Sequence, residues 1–480
     1  MYYVHYKPLR NMLRTYSLHS ALYQVWYRGT RIGKPDSRYR PDASTNIPYD
    51  WELELLAREI ILNSQGGIVP RQNDHAQFPI DRGISHVRRI AEAISEVSVK
   101  SPDDALRAAH ALIHQQIPWQ DDDLLSRMAR YARIMQFDQL KNLVEAKIGL
   151  TIRDLYTIGF AVAGAIDKNP CVVASSYSNA PGIAQGAEKA FFRLVAADLN
   201  ELRQTTKENQ IYDRRWAFSF NPLRAKPLIF DSQQPDLLMG ISEKLLIWRI
   251  TDGLYYDICK LKGFSVGWGA AFEKYIGDVL TAALSGSGFT VLSEQPYFPK
   301  PSERHDGADW IISDATGHVF IECKTKRLKI EAKMDFYDIA LNEEIDTLAN
   351  FFLQNYKNIQ DARNQLLPDF EMNGLPVFCV VVTLENWRAQ HPMIKDNLDA
   401  LIRQKVAMAN LPISIVDDCP YLLFNAQQFE KHMQDVARHN IQSTFLPKSE
   451  FCKGPYRHLF PGTLTALLPF LDSMPDSTQL

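Results

Sequence analysis

Asp309, Glu322 and Lys324 are the residues whose types and spacing point most directly to chemistry. They sit in "HDGADWIIS" and "HVFIECKTKR", two largely apolar stretches joined by the turn "DATG". Side chains alternate along a strand, so "IECKTKR" places Glu322, Lys324 and Lys326 on one face and Ile321, Cys323 and Thr325 on the other. If the two stretches pair as an antiparallel hairpin, Asp309 at the start of the first approaches Glu322 near the end of the second. Two carboxylates with main-chain carbonyls form an oxygen cage for a hard divalent cation such as Mg²⁺. A lysine two residues beyond the glutamate can hold, or help to deprotonate, a water beside that cation. The cation also clamps phosphate oxygens for in-line attack on phosphorus. Together these parts suit hydrolysis of a phosphodiester. A plainer reading gives the same residues to a surface hairpin with cross-strand ion pairs. The apolar character of "ADWII" and "VFIECK" weighs against a wholly exposed ribbon.

The elements around these residues have to position them. "WGAAFEKYIGDVLTAAL" reads as a helix carrying Glu273, either as a further metal ligand leaning over the sheet or as a solvated surface acid. "FTVLSEQ" reads as a strand entered through the turn "SGSG". After the third strand, a long helix spans roughly 336 to 367 and ends at Pro368. "LPVFCVVVT" is apolar throughout and reads as a central strand buried on both faces. "LPISIV" reads as a further strand and "NAQQFEKHMQDVARH" as a further helix. The order is α-β-β-β-α-β with an α/β continuation, which points to a mixed sheet flanked by helices.

On these residues the stretch 263 to 385, about a quarter of the chain, resembles the PD-(D/E)XK, or restriction-endonuclease-like, nuclease superfamily. Asp309 matches the family's first acid, Glu322 and Lys324 its E-x-K pair, and Glu273 the acid that many members carry on the first core helix. The proline that often precedes the first acid is absent, with Ala308 in its place; Asp306, three residues before Asp309, is a second acid in the same loop. The resemblance implies an αβββαβ core and cleavage of DNA, ahead of RNA, with Mg²⁺, for which Mn²⁺ can substitute. It implies roles in restriction, repair or anti-phage defence. Lys326 and Arg327, with Lys329 and Lys333, would either bind phosphates flanking the scissile bond or form a solvated turn. Lys357 or Gln360, on the long helix, occupies the region where members add a phosphate- or water-contacting residue. The alternative is a nuclease fold that binds nucleic acid or scaffolds a partner without cleaving.

The rest of the chain bounds the answer without naming a job. Its 480 residues suit several domains. A net charge of -3, with 46% hydrophobic and 23% charged residues, is that of an ordinary soluble globular protein, and a local basic cleft would suffice for nucleic acid. Six scattered cysteines without CxxC pairs read as reduced thiols of a cytoplasmic protein. No apolar run reaches the length of a membrane span, and the N-terminus lacks a signal-peptide h-region. Residues 1 to 45 mix aromatic and basic side chains, as an arm packed on its own protein or one that stacks bases. Residues 46 to 240 read as a mainly helical recognition or regulatory domain, with "RRWAFSFNPLRAKPLIF" as two extended pieces. Residues 241 to 480 read as the nuclease-like domain with its α/β extension. The helical region would meet a protein partner or a second copy of the chain. The pair His110 and His114 lacks the glutamate of a metalloprotease motif.

Overall fold

A computed structural model describes residues 2–31, 48–70, 77–116, 124–178, 180–213, 215–286, 288–334, 339–388 and 391–446. The chain is α+β and falls into two compact units that divide at Lys262/Gly263.

The first unit is mostly helical. Residues 2 to 29 form two of its helices, Tyr2–Leu13 and Leu18–Gly29. They belong to its core: Tyr6 is buried and donates to Glu59 Oε2 at 2.8 Å, and the Trp26 indole donates to the Ile166 carbonyl at 2.7 Å. The packed reading of this segment is therefore the observed one, though Lys34, Arg38, Tyr39 and Arg40 lie outside the described residues. Glu59 pairs with Arg58 at 2.9 Å and accepts from Trp216 and Gln210 at 3.0 and 2.8 Å. This density of partners is what a buried ion pair needs to offset its desolvation. Side chains cap two of its helices: the amide of Asp154 donates to Thr151 Oγ1 at 3.0 Å, and that of Asp104 to Ser101 Oγ at 3.2 Å.

Three points of the sequence reading change. First, the region 46 to 240 is mainly helical, as expected, but not without strands. It contains a four-stranded sheet ordered Cys171–Val173, Gln234–Gly240, Leu228–Asp231, Ala196–Asp198. The two outer strands are three residues long, too short to show a period of two. Second, "RRWAFSFNPL" winds into 3₁₀ turns at Trp216–Phe218 and Pro222–Arg224, because the Asn221 side chain accepts from the Leu223 amide at 3.1 Å. Only Leu228–Asp231 is extended. Third, the division lies at 262 rather than 240, since Ile241 and, on the helix Glu243–Ile250, Leu245 are buried in the first unit's core.

The second unit runs α1 (Phe264–Leu284), β1 (Thr290–Ser293), β2 (Tyr297–Lys300), β3 (Glu303–His305), β4 (Trp310–Asp314), β5 (Gly317–Lys324), α2 (Ile330–Lys333), α3 (Ile339–Arg363), β6 (Val377–Thr383), α4 (Pro392–Met408), α5 (Ile415–Asp418), β7 (Tyr421–Asn425), α6 (Ala426–Arg438) and α7 (Ile441–Phe445). The main sheet has the order β7-β6-β5-β4-β1. Strands β7, β6 and β5 are parallel; β5, β4 and β1 are antiparallel. β2 and β3 form a separate hairpin inserted between β1 and β4. α3 and α4 cover the face that carries Ile311, Phe320, Cys379 and Val381. All seven residues of β6 are buried, as its unbroken apolar run requires. The stretch "LPISIV" is not a strand. Ile415–Asp418 is a short helix, with the Asp418 amide on the Ser414 carbonyl at 2.8 Å, and the edge strand is the following Tyr421–Asn425.

One turn sets the register on which the site depends. Asp314 Oδ1 accepts from the Thr316 amide at 2.6 Å and the Gly317 amide at 3.0 Å, closing the β4–β5 hairpin. A slip of one residue would turn every side chain of β5 to the opposite face.

Candidate active site

In that register Trp310 pairs with Ile321 and Ser293 pairs with Trp310. One step further along, Asp309 faces Glu322 on one side and Glu294 on the other. The Glu294 amide donates to the Asp309 carbonyl at 2.9 Å, and Asp309 Oδ2 accepts from the Cys323 amide at 2.5 Å. Leu292, Ile311 and Phe320 lie two residues from Glu294, Asp309 and Glu322, and all three pack in the core formed with α3. By alternation the three acids therefore share that face, where the sheet runs past its apolar core. Lys324 follows on the same side. Its Nζ donates to Glu322 Oε1 and lies 5.5 Å from the Phe351 ring centroid on α3. On the opposite face Trp310 packs on Gly277 of α1, and its indole donates to the Glu273 carbonyl at 3.1 Å.

The electrostatics follow from one lysine set among several acids. Burial first, then the Asp309 carboxylate, push Glu322 up to about 8, against the pull of Lys324. Burial raises Asp309, opposed by the Cys323 amide and by Lys324. Glu273 is pushed up to about 7 by burial, Asp309 and Glu294. Glu294 is raised by partial burial, Asp309 and Asp306. Burial alone would lower the Lys324 ammonium; Glu322 and Asp309 more than compensate and hold it above the ordinary lysine range. A raised Glu322 and a raised Lys324 make opposite demands on their shared contact. The tightly held proton thus belongs to the cluster as a whole rather than to one carboxyl.

Glu322 is wholly buried, and its second oxygen, Oε2, has no hydrogen-bond partner. Leaving such an oxygen unmet costs about 1–3 kcal/mol or more. A cation would meet it and relieve the crowding of like charges. Among the described residues, no three His, Cys, Asp or Glu side chains already enclose a metal position. Mg²⁺ takes one or two protein carboxylates and fills its remaining positions with water and phosphate oxygens. The all-oxygen pair of Asp309 and Glu322 Oε2 fits that habit, and it fits Mn²⁺ equally.

Glu273 is half-buried and close enough for Asp309 to shift it. Lys326 does not share the strand face with Glu322, because β5 ends at Lys324; it pairs instead with the buried Glu344 at 3.3 Å. Lys329 reaches Glu343 and Glu344 at 3.4 and 3.5 Å, Lys333 contacts Glu385, and Arg327 is buried. Lys357 and Gln360 are not brought to the site. The Asn355 side chain holds the Phe320 carbonyl at 2.9 Å, while Phe351 lies by Lys324 and Glu344 by Lys326, so α3 runs opposite to β5. Lys357 is thus about 9 Å beyond Phe351 along the axis, away from Lys324. Asp306 is exposed and pairs with Arg304 at 3.0 Å. Glu294 is the residue that the sequence reading missed. It closes "VLSE", but its place opposite Asp309 shows only once residues 297 to 305 are set aside as an inserted hairpin.

Comparison with family models, with curated proteins and with solved structures returned no match.

Proposed function

We propose that the second unit is a metal-dependent nuclease that hydrolyses nucleic-acid phosphodiester bonds, DNA ahead of RNA. The observation that carries this reading is the β4–β5 register, with Asp309 facing a buried Glu322 whose Oε2 is unmet and Lys324 beside them. The sheet order, with three antiparallel strands followed by a helical crossover to a parallel one, supports the resemblance to restriction-endonuclease-like enzymes. Asp309 and Glu322 would hold Mg²⁺ or Mn²⁺. When bound, the cation supplies Lewis acidity to a phosphoryl oxygen and makes water a better nucleophile. Lys324, its ammonium favoured by Glu322 and Asp309, would serve as a hydrogen-bond donor that positions the attacking water. Glu273 adds negative charge at the rim. Water would attack phosphorus as the P–O bond to the leaving sugar oxygen breaks; the water gives up one proton to bulk solvent and the leaving oxygen takes one from it, yielding a phosphate monoester and an alcohol. The helical first unit would recognise a trigger, a substrate feature or a partner.

The test is incubation of the purified chain with duplex DNA, single-stranded DNA and RNA, in Mg²⁺ and in EDTA. Cleavage of at least one substrate in Mg²⁺ and of none in EDTA is expected. Binding without cleavage in either condition would support the non-cleaving alternative instead.

A further inference from the structure

Glu294, Asp309 and Glu322 come from three neighbouring strands and occupy one cross-strand level. Directly opposite residues in antiparallel strands stand with Cβ atoms about 5 Å apart and point to the same face. Exposure grades along the row: Glu322 is wholly buried, Asp309 half-buried and Glu294 exposed. Like charges directly opposite one another are destabilising in a sheet, and this row has two such neighbours in succession. Among the described residues the Glu294 carboxylate makes no hydrogen bond or ion pair, and the more distant pull of Lys324 and Arg304 only partly offsets that repulsion. A surface acid serving only solubility has no need of this position.

The row also contains an observation that itself calls for a ligand. Glu322 Oε2 is buried with no hydrogen-bond partner, and Lys324 already takes the other oxygen. We infer that Glu294 is the solvent-side ligand of the divalent cation held by Asp309, so that three strands contribute one carboxylate each. This rests on the metal-dependent reading above and adds to it a residue outside the D…E-x-K set. The three carboxylates do not yet enclose one point. Glu294 closes the site by turning about its own side-chain torsions, which its exposure leaves open. Asp309, anchored by the Cys323 amide, is the fixed centre of the row.

The experiment is a Mn²⁺ titration of the full chain, by calorimetry or by electron paramagnetic resonance of free Mn²⁺. Wild type is compared with Glu294→Gln and with Glu303→Gln, an acid on the inserted hairpin outside the row. Melting temperatures in EDTA check that both variants fold. Loss of a ligand is expected to weaken binding at least as much as loss of an outer-shell partner, so Glu294→Gln should raise the Mn²⁺ Kd about tenfold or more, with Glu303→Gln unchanged. A Glu294→Gln Kd within twofold of wild type overturns the inference and leaves the nuclease reading standing. A wild type that binds no Mn²⁺ overturns both.

Discussion

Lys324 is the residue on which the chemistry turns. Among the described residues it is the one ammonium paired with Glu322, and Glu322 and Asp309 hold its proton tightly. Removing one hydrogen-bond donor aimed at the reacting oxygens costs about 10²–10³-fold in rate. Lys324→Ala should therefore abolish detectable cleavage while leaving the circular dichroism spectrum unchanged; full activity would remove its role. The acids make a separate, pH-linked prediction. A carboxyl of ordinary value near 4.5 ionises earlier in the unfolded chain than Glu322 does at about 8 or Glu273 at about 7. Between those values the folded state binds more protons, so their contribution to stability is fully present below about 4.5 and is lost as pH rises through 7 to 8. Glu322→Gln removes one of these groups. In EDTA its melting temperature relative to wild type should climb between pH 5.5 and pH 8, and a constant difference would contradict the assignment. Mn²⁺ replaces those protons, so the melting shift it causes in wild type should be larger at pH 8 than at pH 6.

At the scale of elements, the contact of Trp310 with Gly277 sets the distance between α1 and the sheet. A Cβ on Gly277 would sit 2.6 Å from Trp310 Cη2 and 3.1 Å from Cε2. Alanine in a helix interior gains about 1 kcal/mol over glycine, whereas overpacking costs about 1–3 kcal/mol. The clash is with a ring fixed by its bond to the Glu273 carbonyl, so overpacking should win. Gly277→Ala is expected to lower the melting temperature and to reduce activity by displacing Glu273; a stabilised, fully active variant would show that α1 does not position the site. The inserted hairpin is anchored separately. Asp361 on α3 accepts from the Tyr297 hydroxyl at 2.5 Å and meets His305 Nδ1 at 3.2 Å. Asp361→Ala should speed amide exchange across 297 to 305, measured by mass spectrometry, while β6 stays protected. Sequence exposed much of this architecture. The turn at Asp314 and the apolar runs of β4, β5 and β6 are local signals, and together they fix the pairing of Asp309 with Glu322. What stayed hidden depends on non-local geometry. Glu294 needs the hairpin recognised as an insertion, and the misplacement of Lys357 and Gln360 needs the direction of α3 against β5. Nothing in "KTKR" marks where pairing ends, so alternation alone carries Lys326 onto the strand.

At the scale of the whole molecule, the two units treat buried charge differently. The first holds hydrogen-bonded ion pairs such as Arg58–Glu59 and carries its own four-stranded sheet. The crowded acids of the candidate site lie in the second. Among the described residues no single helix is long and apolar enough to cross a membrane. If the cation belongs where the acids are, Mn²⁺ should slow amide exchange in peptides covering 290 to 325 and leave the helices Tyr2–Leu13 and Asp50–Asn63 unaffected. Protection confined to the first unit would contradict the placement. The most direct test of the central claim is cleavage of supercoiled plasmid, linear duplex, single-stranded DNA and RNA with Mg²⁺ or Mn²⁺, with wild type beside Asp309→Ala and Lys324→Ala. The account predicts metal-dependent cleavage of at least one substrate, lost in both variants. Cleavage that survives both substitutions, or no cleavage of any of the four, would contradict it.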